Sequence, residues 1–169
     1  PSAEMTLAFF KEVQNKLLWA VSGKTAAELL YYRANASLPM MGLTSTETEG
    51  KVTKNDVLIG KNYLNEKEIG QLKLIVEQFL AYAEAQALAE KPMYMSDWVQ
   101  KLRLVLTMNE KNILEHAGSI SHDVAVTKAT KEYIAYKEQQ RHNERFDSIK
   151  QLDHDLKRIS PRKNNKKKN

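Results

Sequence analysis

Histidine is the side chain whose ordinary pKa lies closest to neutral pH, so the four histidines are where acid–base chemistry would first be sought. They are His116, His122, His142 and His154. His116 and His122 flank Ala117-Gly118-Ser119-Ile120-Ser121, and Asp123 follows. A catalytic His122 needs an orienting partner, and Asp97 or Lys61 would have to be brought to it by folding. A local account needs no partner: Ser121 caps a helix, Asp123 suits its positive end, and His116 sits at the negative end of the preceding helix. His142 and His154 fall on polar helix faces, where solvent is their expected environment. No His-Glu-x-x-His pattern or other metal-ligand spacing occurs, so neither a metal nor another cofactor is expected. Lys61, Asn62, Tyr63 and Asn65 cluster before a helix start, a place that can hold an anion or equally a hydrogen-bonded turn. Ser22-Gly23-Lys24-Thr25 resembles the end of a phosphate-binding loop. However, Leu18 stands where that motif requires glycine, and a helix rather than a strand precedes, so nucleotide binding is not expected.

Composition bounds the rest. A chain of 169 residues suits one domain with a substantial core. Few Gly and Pro beside plentiful Leu, Ala, Glu and Lys point to helix. Cysteine is absent, which removes any disulfide framework or thiolate site and fits a reducing compartment. No apolar run reaches the roughly 18 residues of a membrane span, and no signal peptide is visible, so no membrane partner is expected. The chain opens at Pro1 rather than Met and reads as a fragment of something longer. The net charge of +5 is unevenly placed. Lys157, Arg158, Arg162, Lys163, Lys166, Lys167 and Lys168 give the last thirteen residues +7 with no acid, leaving 19 basic and 21 acidic side chains before them. Such a tail is expected to be solvated and disordered, and it is the expected phosphate-binding segment if nucleic acid is a partner.

The elements that must position these residues follow from periodicity. A first helix is predicted over Ala3–Val21, with Phe10, Val13, Leu17 and Ala20 on its apolar stripe, stopped by Gly23. Thr25-Ala-Ala-Glu28 is a capping box that starts a second helix ending near Ala34. Together they could form a helix-turn-helix. The second helix offers only Lys24, Glu28, Tyr31, Tyr32 and Arg33 as a reading face, so a plain helical hairpin is expected. Residues 35–54 are polar and long for a loop. Val52 to Tyr63 fits either a short strand or a helical turn. A third strong helix starts at Asn65 with Glu68 closing its cap. Ile69, Leu72, Val76, Phe79, Ala83 and Gln86 form its seam. A fourth, capped by Ser96, carries Trp98, Leu102, Val105 and Asn109 on one face and runs on to Gly118. Ser121 caps the last, where Val126, Ala129, Tyr133 and Tyr136 make one stripe. Lys137–Arg145 is polar all round, and then Phe146, Ile149, Leu152, Leu156 and Ile159 resume an apolar stripe. About 38 helical residues would reach roughly 57 Å, so the second half is expected either to project and pair with another chain or to bend back at the polar break. Tyr31, Tyr32, Tyr63, Tyr82 and Tyr94 are expected in core or rim rather than as base-stacking platforms.

The fold expected is therefore all-α: a bundle of about five main helices, a long and partly projecting C-terminal helix, and a basic tail. The boundaries are a helical domain over 1–137, a helix extension over 138–159 and the tail over 160–169.

Several phrases in order resemble the RhuM family of bacterial virulence-associated proteins. They are Phe9-Phe10 with Val13-Gln-Asn-Lys-Leu17, Gly23-Lys-Thr-Ala-Ala-Glu28, Arg33-Ala with Ala36-Ser37, and Met41-Gly-Leu-Thr-Ser45. Asp56-Val57 with Lys61-Asn-Tyr-Leu-Asn-Glu66, Lys91-Pro-Met with Asp97-Trp98, and Ile120-Ser-His122 follow. The likeness covers roughly residues 5 to 137. It implies a bacterial cytoplasmic protein of which this chain is the C-terminal part, an upstream DNA-binding-like portion being absent. It brings no settled activity. It implies functional weight for Lys24, Arg33, Gly42, Thr44, Asp56, Lys61, Asn62, Tyr63, Asp97, Trp98 and His122, several of them polar where packing needs no polar group. The His-Pro-Phe motif of adenylylating Fic domains is not present.

Two functions fit. One is a helical interaction and oligomerisation module of a DNA-associated, virulence-related protein, pairing through the C-terminal helix, with nucleic acid met by the basic tail or the upstream portion. The other is an enzyme or toxin effector in which Asp56, Lys61, Asn62, Asp97 and His122 converge on a cleft near the Gly42 loop.

Overall fold

The structure, a computed structural model, describes residues 3–159. They form six α-helices and no strand beyond one isolated bridge, Thr48–Lys51. The helices are α1 (Ala3–Ser22), α2 (Ala26–Arg33), α3 (Lys54–Val57), α4 (Glu66–Leu88), α5 (Met95–Met108) and α6 (His122–Ile159). Two 3₁₀ turns, Pro39–Gly42 and Gly60–Tyr63, interrupt the stretch between α2 and α4. The architecture is all-α, as the composition implies.

Helix starts follow side-chain caps. Thr25 and Asn65 each accept from the backbone N–H three residues on, and Glu28 and Glu68 reciprocate by accepting from the N–H of Thr25 and Asn65. Thr53 and Asp56 repeat the device at α3, so the ambiguous segment Val52–Tyr63 resolves as helical turns. At α5 the cap is Tyr94 rather than Ser96: the Tyr94 N–H donates to Asp97 Oδ2 at 2.9 Å. The helix also ends earlier than its apolar pattern suggests. Asn109 turns its side-chain amide back onto the Val105 carbonyl at 2.8 Å and bonds Gln78 of α4, and Glu110 adopts φ 55°. Local side-chain bonding of this kind competes with helix propagation. Residues 109–121 are accordingly a connecting segment, and His116 is not at a helix end.

Contacts divide the described residues between Tyr133 and Ile134. In the first unit, Ile75, Leu102, Val105 and Leu106 form one core cluster, covered by Val13, Leu17, Ala20 and Phe79 among others. Leu18, Leu29 and Leu64 form a second, which joins α1, α2 and the start of α4. Of the expected stripes, Val13, Leu17, Ala20 and Phe79 pack on the first cluster and Leu72 on the second. Phe10 is 60% exposed and Leu18 is buried instead; on α4, Ile75 is buried while Ile69 is exposed. α1 packs on three elements, so its buried arc is wider than a single stripe. The polar stretch 35–54 is anchored by buried Met41, Leu43 and Val52.

In the second unit α6 continues without a break through Lys137–Arg145, so the polar interval does not bend the helix. Phe146, Ile149, Leu152, Leu156 and Ile159 are 52–78% exposed.

Candidate functional site

The polar residues singled out by sequence are mostly tied to one another. Arg33, at the end of α2, makes a bidentate pair with Glu68 of α4 at 2.6 and 2.7 Å and also donates to the Tyr63 carbonyl at 2.7 Å. Guanidinium–carboxylate forks of this geometry are among the strongest hydrogen-bonded pairs in proteins. The Arg33 hydrogen bonds hold Glu68 below the usual carboxylate range against the opposing effect of burial. Glu68 in turn raises Arg33. Thr44 fixes the polar loop to the second 3₁₀ turn: its N–H donates to the Asn62 carbonyl and its hydroxyl to the Leu64 carbonyl, at 2.8 and 2.6 Å. Asn62 is buried; its Nδ2 donates to the Asp56 carbonyl and its Oδ1 accepts from Ser45. Tyr63 is buried too, and its hydroxyl donates to the Val57 carbonyl at 2.9 Å. Burial pushes the Tyr63 phenol up.

Asp56 is buried among donors. It accepts from the Thr53 hydroxyl at 2.5 Å and from the Thr53 and Glu47 N–H groups at 2.9 Å each. Those bonds, the Thr53 hydroxyl foremost, lower its pKa. Glu28 does more than cap α2. Its Oε1 accepts from both the N–H and the hydroxyl of Ser119 at 2.7 Å, across 91 residues of chain. Burial alone would raise its pKa; the Ser119 and Thr25 hydrogen bonds outweigh that and hold it at about 2. Lys16 is likewise buried, donating to the Leu114 carbonyl at 3.2 Å. These groups staple the irregular segments 35–65 and 109–121 onto the helices.

The effector constellation is distributed as follows. Asp56 and Asn62 are neighbours, linked through the Asp56 carbonyl, and both are buried. Lys61 is exposed on the same 3₁₀ turn. Asp97 caps α5, and Trp98 beside it packs edge-on against Phe79. His122 opens α6 and lines a groove with Gly60 and the first turn of α2. Gly42 meets the Arg33 carbonyl so closely that a Cβ would lie 2.7 Å from it, at φ 82°. Lys24 lies over the Tyr32 ring at 5.1 Å. His116 accepts at Nδ1 from the Gly118 N–H and meets the edge of Trp19. Among the described residues no group of three His, Cys, Asp or Glu side chains could hold a metal ion. No helix among them is long and apolar enough to cross a membrane.

Of the basic residues, Lys157 and Arg158 lie exposed in the last turn of α6, Lys157 paired with Asp153 at 2.6 Å. Arg162, Lys163, Lys166, Lys167 and Lys168 lie outside the described residues.

The sequence profile of the Virulence protein RhuM family matches residues 1–144. The chain belongs to the RhuM family. Comparison with curated proteins and with solved structures gives no match. In this RhuM chain, the phrases that carry the resemblance coincide with the stapling network: Arg33, Thr44, Asp56, Asn62 and Tyr63 all form bonds between segments. Sequence reading missed the second role of Glu28 and the buried Lys16. Neither carries a local signal, since their partners Ser119 and Leu114 are 91 and 98 residues away.

Proposed function

We propose that this RhuM chain is a helical interaction module of a DNA-associated bacterial protein, and that it pairs with a second copy of itself through α6. The observation that carries this reading is the row Phe146, Ile149, Leu152, Leu156 and Ile159, five large apolar side chains all exposed on one helix. From Ile149 on, the spacing is 3-4-3, the seam of a coiled coil. Residues 146–159 contain Asp147, Asp153 and Asp155 against Lys150, Lys157 and Arg158. Two such segments therefore meet without net repulsion. The polar residues of the first unit support the same reading from the other side, because Arg33, Glu68, Asp56 and Asn62 are engaged in holding the fold. The excess of basic residues from Lys157 onward favours a phosphate backbone as a further contact.

Two differently tagged copies, co-expressed, test the pairing. Retention of one copy on the other's resin is expected, and loss of that retention in I149E/L156E. Equal retention by the variant would contradict the role of α6. Titration with labelled duplex DNA at about 50 and 200 mM salt tests the nucleic-acid contact. Affinity is expected to fall by an order of magnitude or more across that range. Salt-insensitive binding, or none at the lower salt, would remove that part.

A further inference from the structure

Of the polar side chains in the first unit that have no hydrogen-bond or ion-pair partner among the described residues, three line a single groove. The groove has a volume of about 440 Å³ and runs between α1, the first turn of α2, the second 3₁₀ turn and the start of α6. Its apolar lining comes from Leu30, Leu58, Ile59 and Ile120. Lys11, Gln14 and His122 also line it, and none has a hydrogen-bond or ion-pair partner among the described residues. No aspartate or glutamate lines it. A second depression of equal volume makes the contrast. It is lined by Glu12, Lys16, Arg103 and Glu115, among others, and these pair as Lys16–Glu12 at 3.5 Å and Arg103–Glu115 at 3.0 Å. That depression neutralises itself, whereas the first presents one lysine charge without a counter-ion.

Ligand sites typically combine an apolar lining with a few convergent polar groups, in volumes of roughly 300–1,000 Å³. We propose that this groove binds a small amphipathic carboxylate, its apolar body against Leu30, Leu58, Ile59 and Ile120 and its carboxylate at Lys11. One lysine matches one negative charge, and the Gln14 amide adds a neutral donor. His122 stands at the same rim, which gives the exposed histidine of the family-like Ile120-Ser-His122 phrase a ligand-facing place. The site is independent of the α6 stripe: its lining residues all precede Asp123, so pairing can fail while this binding holds, and the reverse.

Backbone amide spectra of the full chain, titrated with 2-naphthoate, 2-naphthalenemethanol and 2-naphthylmethylamine, test the proposal. The carboxylate is expected to shift the amides of Ala26, Ala27, Gly60 and Ile120–His122, with the neutral alcohol at least tenfold weaker and the amine weaker still. K11E is expected to weaken the carboxylate at least tenfold and to leave the alcohol unchanged. Ile59, which is already partly exposed, gives a second variant: I59E is expected to weaken both ligands. Equal binding of all three compounds, shifts centred elsewhere, or no shift at millimolar naphthoate would each overturn the assignment.

Discussion

Glu28 is buried yet keeps its negative charge, because three donors, the Thr25 N–H and the N–H and hydroxyl of Ser119, bond to its carboxylate. Its pKa falls from an ordinary 4.5 to about 2 on folding. A carboxylate lowered in this way stabilises the fold fully above pH 4.5, and that contribution, roughly 3 kcal/mol, is lost as pH falls towards 2. Urea midpoints measured between pH 2 and 7 should therefore show a steep acid limb in the wild type and a shallower one in E28Q, which should also be less stable at neutral pH. Superimposable pH profiles would contradict the role given to Glu28. At this scale the sequence was legible where partners are three residues apart: Thr25–Glu28 and Asn65–Glu68 declare their caps directly. It was not legible where the partner is remote. Nothing near Arg33 announces Glu68, nothing near Glu28 announces Ser119, and the groove side chains Lys11 and Gln14 gain meaning only when α1 meets α2 and α6.

Between elements, close approach takes over from hydrogen bonding. Gly60 lies against α2 so tightly that a Cβ would fall 2.9 Å from the Ala26 Cα and 3.1 Å from its carbonyl oxygen. Those are backbone atoms, so G60A must separate the 3₁₀ turn from the helix, at a cost of about 1–3 kcal/mol. Gly70, in the interior of α4, has nothing within 4 Å of a Cβ. G70A should instead stabilise by about 0.5–1 kcal/mol, since alanine is the better helix former. Thermal unfolding of the two variants checks the contrast; a G60A as stable as the wild type would show that α2 and the turn are not packed as described. Helix existence was legible from periodicity, and helix ends were legible where a cap or glycine marks them. The end of α5 was not, because apolar Ile113 prolongs the pattern while Asn109 stops the helix by bonding to α4, a tertiary effect. For the same reason the buried arcs of α1 and α4 take in Leu18 and Ile75 beside the expected Val13, Leu17, Ala20 and Phe79, while Phe10 and Ile69 are exposed.

For the chain as a whole, the two units differ in kind. The first has two apolar clusters and a polar network that fixes its loops. Ile134–Ile159 is one stretch of helix whose large apolar side chains at Phe146, Ile149, Leu152, Leu156 and Ile159 are exposed. Exposed apolar residues at coiled-coil spacing are the usual sign of a surface that a partner covers. Their pattern, and the all-α class with it, could be read from the sequence; whether the polar interval Lys137–Arg145 would break the helix could not. Its residues form helix readily but have no apolar stripe, so propensity and burial give opposite answers there. Sedimentation equilibrium of the full chain over about 1–100 μM is the most direct test of pairing through α6. The account predicts a mass rising from about 19 kDa towards twice that value for the wild type, and a constant monomer mass for I149E/L156E with unchanged thermal unfolding. A wild-type mass that stays at the monomer value throughout, or a variant that associates as strongly as the wild type, would contradict it.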